Sequence, residues 1–289
     1  MQSIKNPYLA EILACPDCNS NLESTKDKLT CTACGSSFPL QSGVPIFTPI
    51  PETIQPWERI ERSSRQGTPW RQENWRWLEE LVQRAQKEAL YLDVGCGHGD
   101  FSQIFSGRHY IGLDIVPYPE VDIACDLTQC VPFKKSSVDR VVMMNVLEHV
   151  YAAENLLTRL ANLLKPDGEI WMAVPFMLKI HQAPYDFARY TPYALEKMAA
   201  NAGLEIIQMD GFYDPVFQLQ DALGTVWAHA LPPKVDVRGI IARAAVFSIR
   251  VFSDVMKRVL PGSQRVNPLL TDNPAAMGYL VVFKKRLII

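Results

Sequence analysis

The sequence lacks a long hydrophobic run. A transmembrane helix needs about 20 consecutive apolar residues, and no part of the 289 residues offers such a stretch. The first 15 residues also lack the apolar segment of a secretion signal, because Lys5, Asn6 and Pro7 interrupt it. We therefore expect a cytoplasmic protein, with peripheral attachment to the inner face of the membrane as the alternative.

The sequence also has little net charge, and its formal value of −2 hides an uneven distribution. From Lys234 to the end, ten Lys and Arg residues stand against three Asp and Glu residues, so this part carries +7 and the remainder −9. A basic C-terminal part on an acidic body predicts an anionic surface that the basic part meets. Hydrophobic residues at 48% and charged residues at 21% are typical of a folded globular chain.

Four of the seven cysteines form two C-x2-C pairs that are separated by twelve residues. The pairs are Cys15 with Cys18 and Cys31 with Cys34. Four thiolates in a tetrahedron suit Zn²⁺ and leave no open coordination position, which predicts a structural zinc ribbon; a pair of redox dithiols is the alternative. With no secretion signal, the scattered cysteines (Cys96, Cys125 and Cys130) are expected to be reduced thiols.

Changes in composition divide the chain into three regions. We predict the ribbon over residues 1–50 and a Pro- and Trp-rich linker with a charged helix over residues 51–88. The remaining residues, 89–289, form the large domain, with a helical insertion at about 213–277.

A glycine-rich turn opens the large domain. Residues 89–94 predict a strand, residues 95–99 follow as G-x-G-x-G, and a helical segment is expected from Asp100. A second predicted strand, residues 110–115, contains Asp114 near its end, and a carboxylate there can accept hydrogen bonds from both hydroxyls of a ribose. Glycines together with this acid predict a cofactor that carries a nucleoside.

Two features favour S-adenosylmethionine over a nicotinamide dinucleotide. The glycine spacing is not the G-x-G-x-x-G of dinucleotide sites. Asp93 directly precedes the turn, where a carboxylate would repel a pyrophosphate but would attract the amino group of a methionine moiety. A nicotinamide oxidoreductase is therefore disfavoured.

Residues 89–210 resemble the class I S-adenosylmethionine-dependent methyltransferases, in particular the type 11 family. The resemblance rests on D-V-G-C-G-x-G, G-x-D, D-x-x-x-x-x-P-F, L-E-H-V and L-K-P-D-G, which stand here at 93–99, 112–114, 126–133, 147–150 and 164–168. It implies a doubly wound, Rossmann-like α/β sheet. It also implies the following cofactor residues: Asp93, Gly95, Cys96, Gly97 and Gly99 at the methionine end, Asp114 and Ile115 at the ribose, Asp126 and Leu127 at the adenine, and Asn145 beside methionine and acceptor.

Some of these residues have simpler interpretations. Asp126 could cap a helix, Cys96 could be only a small buried filler, and Gly97 or Gly99 could serve only the turn.

The ribbon, over about residues 9–50, resembles the small zinc-ribbon proteins that activate tRNA and translation-factor methyltransferases. Besides the cysteines, Phe38-Pro39-Leu40 and residues 43–47 carry this likeness. It implies a stabilising or docking module. Residues 1–50 hold three Lys and four Asp or Glu, and this acidic balance argues against nucleic acid as a partner.

The acceptor side is expected after the fourth and fifth strands. The L-E-H-V block contains His149, and the loop 181–192 holds a density of polar groups that is unusual for a connector. The candidate catalytic residues are His181, His149, Asp186, Arg189 and Tyr190. His149 or His181 could act as the base. In the alternative interpretations, His149 instead orients the backbone, and Tyr190, Asp186 and Arg189 form a network that only braces the loop.

Residues 240–260 predict an amphipathic helix with a basic stripe (Arg243, Arg250, Asp254 and Lys257) and a broad apolar face. A lid or homodimerisation helix packed on the core is the favoured interpretation, and peripheral contact with a membrane interface is the alternative.

The leading hypothesis is O-methylation of a sugar, a lipid-linked glycan or another small hydroxylated acceptor. The fourth strand lacks the N/D-P-P-Y/F signature of enzymes that methylate amino groups on bases or glutamine. The alternatives are an RNA base methyltransferase and a non-catalytic chain that binds S-adenosylmethionine or docks to another protein.

Overall fold

The computed structural model describes residues 4–50, 67–225, 237–259, 263–269 and 276–286. Residues 51–66 of the predicted linker, including Pro51, Pro56 and Trp57, lie outside the described residues. The N-terminal part begins with helix α1 (Pro7–Ile12), where the Asn6 side chain accepts a hydrogen bond from the Tyr8 N–H. A small antiparallel sheet follows, made of β1 (Leu22–Ser24), β2 (Lys28–Cys31), β3 (Ser37–Gln41) and β4 (Val44–Pro45).

An eight-stranded mixed sheet forms the centre of the large domain. Its strands are β5 (Leu90–Val94), β6 (His109–Asp114), β7 (Ile123–Ala124), β8 (Val138–Met144), β9 (Leu164–Pro175), β10 (Leu204–Tyr213), β11 (Gln264–Val266) and β12 (Gly278–Lys285). Their order is β11-β10-β12-β9-β8-β5-β6-β7. β5 to β9 pair in parallel and β10 to β12 pair antiparallel, which confirms the doubly wound α/β prediction.

Helices connect these strands. They are α2 (Pro69–Arg84), α3 (Ala153–Leu163), α4 (Pro192–Asn201), α5 (Pro215–Thr225) and α6 (Val237–Val259). The hydroxyls of Thr68 and Thr191 accept hydrogen bonds from the N–H groups of Arg71 and Ala194, so each threonine caps a helix whose first residue is proline.

The helix expected from Asp100 is absent from this described segment, so that prediction is wrong. Only a four-residue 3-10 helix, Ser102–Phe105, follows the glycine turn. Gly99 (φ +68°) and Gly107 (φ +74°) take left-handed conformations on either side. The intervening stretch is too short for an α-helix to develop several turns.

The zinc-ribbon segment packs directly on the large sheet. Leu13 forms an antiparallel bridge with Phe133, and Ile46 forms a parallel bridge with Ala124 at the edge strand β7. The Phe47 N–H also donates to the Ala124 carbonyl at 2.9 Å. The ribbon therefore covers a sheet edge that would otherwise expose unpaired backbone groups, and its apolar side chains join the core of the large sheet.

Helix α6 contacts α5 along a narrow strip. Ser253 is fully buried there and its hydroxyl accepts a hydrogen bond from the Gln220 side chain at 3.0 Å. Most of the broad apolar face, including Ile241, Phe252 and Val259, is exposed. This face does not pack on the described core, because α5 offers only a strip of contact, and a homodimerisation helix stays a prediction. The side chains of Arg250 and Lys257 lie outside the described set, and none of the described helices is long and apolar enough to cross a membrane.

Candidate active site

A cavity of about 510 Å³ lies at the carboxyl ends of the parallel strands, within the usual volume of a small-molecule site. Nine of the ten predicted cofactor residues line it: Asp93, Gly95, Cys96, Gly97, Asp114, Ile115, Asp126, Leu127 and Asn145. Gly99 is the exception, and a Cβ there would contact Ser102 and Glu120, which fits a role in the turn. Cys96 is buried, and burial raises the pKa of its thiol, so it lines the wall as a neutral group.

The glycine turn brings backbone close to the cavity. Gly95 has φ +75°, and an added Cβ would lie 2.5 Å from a methyl carbon of Val146. Gly97 has φ +54°, and its N–H donates to the Asp114 carboxylate at 2.8 Å. Glycine is required at the first position by both conformation and space. The turn therefore presents bare backbone to a ligand.

Asp93 is the buried acid of this site, with 2% of its surface exposed. The Tyr110 hydroxyl donates to it at 2.8 Å, and burial raises its pKa to about 7. It makes no ion pair within the described part of the chain. A buried carboxylate of this kind suits a ligand ammonium group, as the amino end of S-adenosylmethionine would provide.

Asp114 and Asp126 stand further along the cavity. Asp114 accepts the N–H groups of Gly97 and Val116, and burial raises its pKa. Asp126 accepts hydrogen bonds from the Thr128 N–H and hydroxyl and from the Gln129 side chain, at 2.6–2.8 Å. These bonds brace the turn at residues 127–129 and do not cap a helix, and Asp126 also lines the cavity.

Asn145 lies at the tip of β8 with φ +57°. Its side-chain oxygen accepts a hydrogen bond from the Trp70 indole at 2.7 Å. Sequence reasoning named neither Trp70 nor Arg71 among the site residues, although Arg71 lines the cavity and pairs with Asp100 at 2.9 Å. No local motif marks these positions, because α2 comes from outside the cofactor motifs.

Two histidines and a glutamate meet beside the cavity, where the loop after β9 passes the turn after β8. Glu148 is fully buried, and its Oε1 lies 3.6 Å from His149 Nε2 and 3.8 Å from His181 Nε2. His149 lines the cavity and donates its Nδ1–H to the Tyr185 carbonyl at 2.5 Å. Burial lowers the pKa of His149 and raises that of Glu148 to about 8. Sequence reasoning quoted Glu148 within L-E-H-V and assigned it no role.

The loop after β9 is braced by an ion pair. Arg189 contacts Asp186 at 2.5 Å and donates to the carbonyls of Leu178 and Lys179. Asp186 also accepts the His181 N–H at 2.8 Å, and Arg189 holds the pKa of this acid well below its usual range.

The other loop candidates stand back from the cavity. The Tyr190 hydroxyl donates to the Leu147 carbonyl at 3.4 Å. His181, Asp186, Arg189 and Tyr190 do not line the cavity, whereas Gln182 and Tyr185 of the same loop do.

The four ribbon cysteines form a second site. Their sulfur atoms lie within 4.8 Å of one another, with Cys15 to Cys34 at 3.6 Å and Cys18 to Cys31 at 3.4 Å. Zn–S bonds of about 2.3 Å in a tetrahedron place the sulfurs about 3.8 Å apart, so the set fits zinc. The N–H groups of Ala33 and Cys34 point at the Cys31 sulfur, at 3.4 and 3.5 Å. The structure therefore supports a closed, structural zinc site.

Comparison with known proteins agrees with these sites. Residues 69–209 match the family described as methyltransferase domain, and residues 6–43 match the Trm112p-like proteins. The ubiquinone biosynthesis O-methyltransferase of Cupriavidus pinatubonensis is 24% identical over 50% of this chain and 70% of its own length. That of Dechloromonas aromatica is 27% identical over 48% and 74%.

Among solved structures, the complex of the Haloferax volcanii Trm112 methyltransferase activator with a methyltransferase has a TM-score of 0.41 and 21% identity, over 48% of this chain and 72% of that one. The cavity, the glycine turn and the matched families together support S-adenosylmethionine and structural zinc as the bound groups. Residues 69–209 thus form a methyltransferase domain and residues 6–43 a Trm112p-like zinc ribbon, and the chain is an S-adenosylmethionine-dependent methyltransferase.

Proposed function

We propose that this enzyme methylates a hydroxyl oxygen of a small acceptor, and that sugars and lipid-linked glycans are the first classes to test. The observation that carries the proposal is the group of Glu148, His149 and His181 at the edge of the cofactor cavity. A hydroxyl must lose its proton during methylation, so its site needs a group that removes the proton or favours its loss.

The surroundings of His149 support a role in removing the proton. His149 donates Nδ1–H to a carbonyl, so Nε2 carries a lone pair, and burial lowers the pKa of the ring and keeps it neutral near pH 7. S-adenosylmethionine supplies an electrophilic methyl group when bound. Asp93 and the glycine turn are proposed to hold its methionine end, with Asp114 at the ribose and Asn145 beside the acceptor.

The surroundings of the loop support a lipid-linked acceptor. Lys179, two residues before His181, contacts Asp221 of α5 at 3.5 Å. α5 packs on α6, whose side chains of Ile241, Phe247 and Phe252 are exposed. An apolar surface beside the acceptor loop would suit a lipid tail or an interface that contains one. The relatives named for ubiquinone biosynthesis are also O-methyltransferases.

The test is transfer from S-adenosylmethionine that carries a labelled methyl group. Purified zinc-loaded enzyme would be given simple sugars, lipid-linked glycans in detergent, phenols and bulk RNA, with Asp114→Ala as the control without cofactor binding. Label in an alkali-stable ether on a hydroxylated acceptor, absent with Asp114→Ala, supports the proposal. Label on RNA bases or on amines alone would refute it.

A further inference from the structure

We propose that Glu148, His149 and His181 bind a divalent transition-metal ion at the acceptor edge of the cofactor cavity, in a site separate from the zinc ribbon. The three side chains come from two segments, the turn after β8 and the loop after β9. Each offers one ligand atom, and these atoms lie within 4.8 Å of one another.

The distances suit a shared ion. Metal–nitrogen and metal–oxygen bonds of about 2.1 Å at tetrahedral angles place two ligand atoms about 3.4 Å apart. Glu148 Oε1 lies 3.6 Å from His149 Nε2 and 3.8 Å from His181 Nε2. These separations are too long for direct hydrogen bonds but within a few tenths of an ångström of the spacing around a metal.

The proposed ligand atoms of Glu148 and His149 are left without hydrogen-bond partners. All three of these atoms are buried: both carboxylate oxygens of Glu148 and Nε2 of His149. None of them makes a hydrogen bond with any of the described residues. Glu148 itself has 0% of its surface exposed. Buried polar atoms are nearly always paired, so unpaired atoms that converge on one point indicate a bound group. Two nitrogen lone pairs beside a carboxylate call for a cation.

Both histidines are held in the tautomer that a metal needs. His149 donates Nδ1–H to the Tyr185 carbonyl at 2.5 Å. Among the described residues, His181 Nδ1 faces two acceptors, the Lys179 carbonyl at 3.3 Å and Asp186 at 3.4 Å, and one donor, Arg189 at 3.5 Å. Nδ1 therefore carries the proton in His149, and the two nearer acceptors favour the same tautomer in His181, which leaves Nε2 of each ring to coordinate. Asp186 contacts His181 on the side away from Glu148, as the carboxylate that commonly orients a metal-bound histidine does.

The ligand set selects the metal. Two imidazoles and one carboxylate suit Zn²⁺, Mn²⁺ or Fe²⁺, whereas Mg²⁺ prefers oxygen ligands alone. Three protein ligands leave at least one coordination position open, unlike the closed four-cysteine ribbon. Tyr185 and His149 line the cavity, so the open side can face a molecule inside it.

The consequence for catalysis rests on the proposed O-methylation. A cation at this point lowers the pKa of a hydroxyl that contacts it, and so takes the place of a side-chain base. The hydroxyl proton passes to solvent, the acceptor oxygen forms the new bond to the methyl carbon, and the sulfonium sulfur keeps the electron pair of the broken bond. His149 and His181 then act as ligands, and Asp186 and Arg189 act as positioning residues.

The test is a titration with Mn²⁺ of enzyme whose ribbon already holds zinc, followed by electron paramagnetic resonance of the free Mn²⁺. Mn²⁺ does not displace zinc from thiolates, because it prefers harder ligands. The variants are Glu148→Gln and His181→Ala, and the control is His109→Ala. His109 and His181 have side chains of nearly equal exposure, 33% and 34%, but His109 stacks on Tyr8 at the ribbon.

We expect one Mn²⁺ per chain in the wild type and in His109→Ala, and at least about tenfold weaker binding in the other two variants. Glu148→Gln has the same size and cannot ionise, so thermal unfolding without Mn²⁺ should show a fold at least as stable as the wild type. Absence of Mn²⁺ binding in the wild type, or wild-type affinity in His181→Ala, would overturn the proposal. Because no acceptor is used, failure of O-methylation would leave this measurement unaffected.

Discussion

Replacing Asp93 with asparagine should stabilise the cofactor-free enzyme at high pH and abolish its affinity for S-adenosylmethionine. The native pKa of about 7 exceeds the ordinary aspartate value of 3.8 because the carboxyl is buried. The native state therefore binds more protons than the unfolded state between about pH 4 and pH 7, and stability falls as pH rises through this window. A difference of about 3 pKa units corresponds to about 4 kcal/mol between the protonated and ionised limits.

The part of this cost that is accessible to experiment lies near neutral pH. Between pH 6 and pH 8.5, ionisation of Asp93 should cost the wild type about 1.4 kcal/mol that Asp93→Asn does not lose. Urea unfolding of both proteins at the two pH values measures the difference, since the amide oxygen of the Asp93→Asn variant would still accept the Tyr110 hydroxyl. Asp122→Asn is the matched control, because Asp122 is also buried but accepts the Gly112 N–H at 2.9 Å outside the cavity lining.

Binding of S-adenosylmethionine should show the opposite trend with pH. If the ligand ammonium needs the ionised carboxylate, wild-type affinity at pH 6 should be about tenfold weaker than at pH 8.5. Isothermal titration would measure this, with Asp122→Asn expected to behave as the wild type. A stability difference between Asp93→Asn and the wild type that does not change with pH would refute the reasoning.

Four further substitutions test the zinc ribbon and the cofactor cavity. Cys31→Ser should release the ribbon zinc, measured by elemental analysis, and should lower the melting temperature of the whole chain, because the ribbon shares the core of the large sheet. Gly95→Ala should lower the free energy of unfolding in urea by about 2–5 kcal/mol, because the backbone is left-handed and the added Cβ clashes with Val146. Gly97→Ala should lower it by only about 1–2 kcal/mol, the backbone part, because no atom lies within 4 Å of its added Cβ. Tyr110→Phe removes the hydroxyl that donates to Asp93. It should weaken the binding of S-adenosylmethionine, measured by isothermal titration, at least about tenfold.

Each of these outcomes can fail separately. A melting transition of the ribbon alone, with the large domain unchanged, would contradict a shared core. Equal costs for the two glycine variants would contradict the close approach of Val146. Unchanged affinity of Tyr110→Phe would mean that the Tyr110 hydroxyl does not support Asp93 when the cofactor binds.

Sequence reasoning was strongest where chemistry is local. The spacing of the four cysteines predicted a zinc ribbon, and the structure brings their sulfur atoms together. The strand and glycine turn at residues 90–99 lie at the cavity as expected, because such a turn needs particular residues at consecutive positions.

Sequence reasoning was weakest where a role depends on distant neighbours. Asp186 and Arg189 looked like acceptor-site groups, but in the structure they pair with each other behind His181. Glu148 was passed over because a glutamate in a motif does not reveal whether its carboxylate is paired. The amphipathic helix α6 was recognised, but periodicity did not reveal that most of its apolar face is exposed in the structure.

The sequence by itself predicted the fold class, the zinc-binding cysteines and the cofactor turn, because each is marked by residue types at fixed spacings within short motifs. Tertiary structure alone decided that α2 brings Trp70 to Asn145 and that the ribbon closes the edge of β7. It also decided that His181 meets His149 and Glu148. Such meetings depend on how separate segments pack, and burial then determines which polar atoms lose water and which remain without a partner.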